Sequence, residues 1–221
     1  MKRYKVILVG ETPLLLHQDN LDWGDMLKKW STDPTHSKSS VPGDDRTPAW
    51  RWMGCLYVEG GKIVVPADNL MTMLREGGKK ISTGKGTETF KAVTQSGIVV
   101  DQSAWAILIN GAEVLYDKIK PLTRVDDFQQ HKETVESLGF ELFVKRAKIG
   151  AAKHVRVRPR FDNWRLAGSL TVFDERITKH VLTTIITTAG AYCGLGDWRP
   201  SSPKSPGSFG KFTVQVEELM K

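Results

Sequence analysis

The densest set of residues able to do chemistry is a cationic run: Lys145, Arg146, Lys148, Lys153, His154, Arg156, Arg158, Arg160 and Arg165. Eight Lys and Arg against the single Asp162 give residues 145–165 a net charge of +7, equal to the net charge of the whole 221-residue chain. The remainder therefore sums to zero. His154, Arg156, Arg158 and Arg160 stand at alternate positions, so in a strand they share one face at a spacing of roughly 6.5–7 Å. That pitch is comparable to the spacing of phosphates along an extended nucleic acid, and Phe161 and Trp164 beside it offer rings on which bases could stack. The competing reading is an outer face paired with scattered carboxylates; like charges in such a row repel unless anions sit among them, which favours a polyanionic ligand over that reading.

Two glycine-bearing segments add charge. Gly194, Gly196, Gly207 and Gly210 frame a loop that carries Arg199, Lys204 and Lys211. Glycines there let backbone approach a ligand closely or take positive φ. The loop lacks the GxxxxGK[ST] pattern of a P-loop, and Arg199 stands where a dinucleotide loop needs its third glycine. A polar segment with Lys79, Lys80 and Lys85 is similar in character, and Gly84-Lys85-Gly86 lacks the hydroxyl residue of a P-loop. Cys55 and Cys193 have no CxxC spacing, and no HExxH or GxSxG occurs, so neither a metal nor a cofactor is expected.

The elements that must position these groups follow from periodicity. Residues 3–10 read as a first strand and Asn20–Trp30 as a weakly patterned helix. Residues 54–58 and 62–65 read as a hairpin. A helix opens at Pro66, with Leu70, Met73 and Leu74 on one face and Gly77-Gly78 as its end. A strand at Ala106–Asn110 and a helix near Asp127–Leu138 follow. Lys153–Phe161 and Trp164–Phe173 are strands, Asp174 caps a helix to about Tyr192, and Lys211–Val216 is a last strand. The expectation is one α+β domain over residues 1–221, with a ferredoxin-like, RRM-like βαββαβ core and large insertions at 31–48 and 79–97. Hydrophobic residues make up 40% and charged residues 26% of the chain, a globular balance, and no apolar run approaches the roughly 18 residues of a membrane span. The cysteine usage fits a reducing, cytoplasmic compartment.

Three separated segments resemble the RAMP (repeat-associated mysterious protein) superfamily, above all the backbone subunits of CRISPR effector complexes, in a divergent form of the kind carried by phages and prophages. Val6-Ile7-Leu8-Val9-Gly10-Glu11-Thr12-Pro13-Leu14 is similar to the family's opening strand. Lys62-Ile63-Val64-Val65-Pro66 through Arg75 is similar to its Ile-Pro strand and helix, although Ala67, Asp68, Asn69 and Met71 depart from the family's residues. Gly194-Leu195-Gly196 to Lys211-Phe212 is similar to its C-terminal glycine-rich loop, with Asp197-Trp198-Arg199-Pro200 as an unusual insert. The resemblance implies single-stranded RNA or DNA held along a basic groove, assembly into a homo-oligomer or filament with other effector subunits, and a place in antiviral defence. It also supplies an alternative, an endoribonuclease using His17 or Asp44/Asp45. A third reading is a scaffold or adaptor whose basic face meets an acidic protein.

Overall fold

In a computed structural model the chain is described over residues 1–36, 41, 43–149 and 152–219, with the side chains of 148, 149 and 152 outside that description. In chain order the strands and α-helices are β1 (Lys2–Gly10), β2 (Leu14–Leu15), α1 (Leu21–Thr32), β3 (Val58–Glu59), β4 (Lys62–Pro66), α2 (Ala67–Lys79), α3 (Lys91–Gly97) and β5 (Ile98–Val100). Then come β6 (Ala104–Ala106), β7 (Leu108–Ile109), β8 (Ala112–Glu113), α4 (Phe128–Ser137), β9 (Glu141–Ile149), β10 (Ala152–Phe161), β11 (Trp164–Val172), α5 (Lys179–Thr188) and β12 (Phe212–Leu219). The result is a mixed α/β protein with antiparallel sheets, compatible with the α+β class. Among the described residues no helix is long and apolar enough to cross a membrane. The chain gathers into two compact units. One takes Met1–Leu14, Val64–Glu113 and Asp162–Lys221, the other Leu15–Ile63 and Val114–Phe161.

The first unit is built around β1. Tyr4, Val6 and Leu8 are buried at alternate positions, as a strand with one covered face requires. Antiparallel partners flank it on both edges: β11, with Lys2 opposite Val172, and β12, with Arg3 opposite Leu219. The sheet order is β12-β1-β11-β7-β8, and β5 also pairs with β11. Helix α2 packs on α5 and α3, and α5 packs on β12.

Two helix boundaries differ from the sequence expectation. Gly77 and Gly78 lie inside α2 and are buried, because α5 comes close enough that a Cβ on Gly77 would stand 2.5 Å from the Ile185 carbonyl oxygen and 2.9 Å from Ala189 Cβ. Asp174 does not cap α5. Its carboxylate holds the Arg176 guanidinium at 2.7 Å, and Thr178 is the cap. Residues 79–97, expected as an open loop, include α3.

In the second unit β9 and β10 form a long antiparallel hairpin, with Val157 opposite Val144 and Arg160 opposite Glu141. β9 was not anticipated. Residues 51–55 form a 3-10 turn where a strand at 54–58 was expected, because Trp52 and Met53 turn into the core together. The Trp52 indole N–H donates to His131 Nδ1 at 2.9 Å, and His131 Nε2 lies 2.9 Å from the Val125 carbonyl oxygen. With Nδ1 accepting and Nε2 donating, both ring nitrogens are used and the imidazole is neutral. Burial pushes its pKa below 6.5, against the carbonyl contact that pulls it up.

Substituting Gly77 by Ala should cost about 1–3 kcal/mol through overpacking, read as a lower urea midpoint at unchanged slope. His131 ties stability to pH: below 6.5 the unfolded chain takes up a proton that the folded chain resists. The histidine's contribution is therefore complete above that pH and is lost as pH falls through the depressed folded value. The urea midpoint of the wild type should fall across this window more steeply than that of His131→Gln, and parallel curves would refute the assignment.

Candidate functional site

The arginine row is real as geometry and different in role. Residues 43–45 run beside β10: Val155 N–H donates to the Gly43 carbonyl at 2.8 Å and Asp45 N–H donates to the Val155 carbonyl at 3.0 Å. This pairing sets the Asp45 carboxylate over the arginine face, where its side chain is only 6% exposed. Oδ1 lies 2.9 Å from Arg156 Nη1 and 3.2 Å from Arg51 Nη2, while Oδ2 lies 3.4 Å from Arg158 Nη1 and accepts from Val157 N–H at 3.3 Å. One carboxylate thus serves three guanidinium groups. Arg158, 8% exposed, also donates to the Val157 carbonyl at 2.9 Å, and its Nη2 lies 3.3 Å from Nε2 of the otherwise exposed His17. Arg160 meets Glu141 at 3.7 Å and lies over the Phe143 ring.

The carboxylate-paired alternative therefore describes this face, with one principal acid rather than scattered ones. Asp44, the second acidic candidate, is paired with Arg46 instead. Hydrogen bonds from the Arg46 side chain hold its carboxyl below the usual aspartate range, with Nη2 at 2.6 Å. Among the described residues no three His, Cys, Asp or Glu side chains gather as a metal-binding group. His154 is half-buried against Gly43, and its Nδ1 has no hydrogen-bond partner among the described residues.

Beyond Val157 the hairpin changes character. Lys145, Arg146 and Lys153 are exposed, as is Val144 at 40%. The register places Lys145 opposite Arg156 and Arg146 opposite Val155, so the exposed cations occupy both faces of the ribbon. No acidic residue lies between Glu141 and Asp162. The side chain of Lys148, the remaining cation of this stretch, falls outside the described residues.

The other sequence candidates belong to the first unit. Trp164 is 1% exposed and donates its indole N–H to the Thr12 carbonyl at 2.9 Å, with Phe212 edge-on to it. It is a core residue, as is Phe161 in the second unit, and neither offers a ring for stacking. Arg165 is exposed on β11. In the glycine loop Arg199 is held by Glu76 of α2 at 3.0 Å and donates to the Gly196 carbonyl, and Ser201 donates to Glu76 at 2.5 Å. Gly194, Gly196 and Gly210 all take positive φ, and Gly207 packs on Trp198. Their freedom folds the loop onto itself, with Leu195 N–H donating to the Gly210 carbonyl at 2.9 Å. Lys204 is exposed and Lys211 half-buried; Lys79, Lys80 and Lys85 are exposed.

The sequence matches none of the known protein-family models and no curated protein.

Asp45→Ala should lose about 3–5 kcal/mol of unfolding free energy, the cost of stranding buried cations. Asp44→Ala, whose partner Arg46 has a half-exposed side chain, should lose no more than about 1 kcal/mol. Equal losses in urea unfolding would deny Asp45 its central place.

Proposed function

We propose that this protein binds single-stranded nucleic acid without cutting it, as a RAMP-type subunit that coats a strand beside further copies of itself. The observation that carries this reading is the distal half of the β9–β10 hairpin: Lys145, Arg146 and Lys153 exposed on both faces, in a stretch of chain without a carboxylate. Exposed cations at this density attract a phosphate backbone. The arginine row serves this surface from beneath, because Asp45 and its three guanidinium partners fix β10 and so the base of the hairpin.

A ferredoxin-like core belongs to the same proposal. Supporting it are the antiparallel sheet order β12-β1-β11-β5 and the helices α2 and α5 that follow β1 and β11 in the chain. That is the order expected of two split βαβ units. A binding role without cleavage is supported by the state of Asp45, both of whose carboxylate oxygens are engaged by guanidinium groups.

Replacing Lys145, Arg146 and Lys153 together by Ala should weaken binding of a single-stranded oligonucleotide and flatten its dependence on salt. On a plot of log affinity against log salt concentration, three lost phosphate contacts correspond to about two units of slope. Fluorescence anisotropy across a salt series measures both, and an unchanged affinity and slope would sink the proposal.

A further inference from the structure

The second unit contains a small cleft of about 150 Å3 that the arginine cluster and the hairpin cations do not use. Its apolar part is Met53 and Leu56, both nearly fully buried, with the exposed Val58, and its walls include Trp23, Tyr116, Gln18 and Asn20. The polar groups are held by backbone. Asn20 caps α1, its Oδ1 accepting from Asp22 N–H at 3.0 Å and Trp23 N–H at 3.3 Å, which leaves its amide N–H groups for another partner. Gln18 is fixed by its main-chain N–H, which donates to the Cys55 carbonyl at 3.0 Å. Neither the Gln18 carboxamide nor the Tyr116 hydroxyl has a hydrogen-bond partner among the described residues. Trp23 is set in place by the neighbouring Trp50 ring, 5.6 Å between centroids.

The chemistry of the lining selects a ligand class. None of the lining residues is charged, which disfavours a phosphate or carboxylate. The volume is well below the roughly 300 Å3 at which sites for drug-sized ligands begin. Two carboxamides offer donor and acceptor edges, and two aromatic rings with a thioether offer flat, polarisable contact. A neutral, planar ring with hydrogen-bonding edges satisfies all of this.

We propose that the cleft takes a single unstacked nucleobase of the bound strand, with Trp23 and Tyr116 as the aromatic contacts and Gln18 and Asn20 reading its edge. This rests on the nucleic-acid reading above and adds a base-dependent contact to one that the cations alone make with phosphates. His17, next in the chain to Gln18, has its Nε2 3.3 Å from Arg158 Nη2, so the cleft adjoins the cationic cluster along the backbone.

The test compares a base-bearing single strand with a fully abasic strand of the same length and charge, by anisotropy on the full chain. The wild type should bind the base-bearing strand at least about fivefold more tightly, the lower range for one stacked base. Trp23→Ala and Gln18→Leu should each shrink that ratio, while the Lys145/Arg146/Lys153 triple variant should weaken both strands and leave the ratio standing. Trp23 packs on Gly54, so Gln18→Leu serves if Trp23→Ala does not fold. Equal binding of the two strands by the wild type, or a ratio untouched in Gln18→Leu, overturns the cleft assignment alone. Failure to bind either strand overturns the nucleic-acid reading with it.

Discussion

The Asp45 carboxylate is the constraint on which the second unit depends. Three guanidinium groups converge on it from two separate segments, Arg51 from the 3-10 turn and Arg156 and Arg158 from β10. Four basic side chains along one strand face would otherwise push that face open. With the acid in place, the segment around 43–45 pairs with β10 and leads directly into the turn at 51–55. That turn delivers Trp52 to His131. A charge interaction is thus continuous with the aromatic core, where Trp52 also meets Phe140 edge-on and Phe140 stacks on Phe161. Such a cluster specifies one register of the segment on the strand, whether or not it is more stable than an apolar replacement.

The first unit is governed by close approach of backbones. Gly77 lets α2 meet α5, and Gly190, in the π turn of residues 189–193 that follows α5, stands against the Phe212 main chain at the start of β12. Both positions lack a side chain because a neighbouring backbone fills the space. The Glu76–Arg199–Ser201 network then fastens the glycine loop to α2, so a segment with the composition of a mobile loop is folded in place.

What the sequence disclosed follows from how local each signal is. β1, β10, β11, α2 and α4 were legible because apolar residues recur at strand or helix period within a few positions. β9 was hidden because Leu142, Phe143 and Val144 are consecutive apolar residues followed by cations, which gives no alternation to read. The end of α2 was misplaced because glycine is both a helix stop and a packing residue, and only the position of α5 tells which. Asp45 could not be matched to Arg156 from spacing, since 111 residues separate them. The charge row calls for anions among its members, which the sequence reading assigns to a phosphate backbone; the structure places the Asp45 carboxylate there. The cleft beside Gln18 left no trace in the sequence, being assembled from three stretches of chain with no shared pattern.

The register of β1 carries a consequence for how the molecule comes into being. The strand is made well before its sheet neighbours: Lys2 pairs with Val172 and Arg3 with Leu219. During vectorial synthesis its two edges stay open until β11 and then β12 have been made, while every residue of the other unit, which closes at Phe161, is available before either. Assembly of the first unit is therefore dominated by late, long-range pairing, the slow class of folding event. In the interval an apolar strand with two bare edges is exposed to other nascent chains. Lys2, Arg3 and Lys5, charged side chains spaced along that strand, give it a built-in resistance to pairing with the wrong partner.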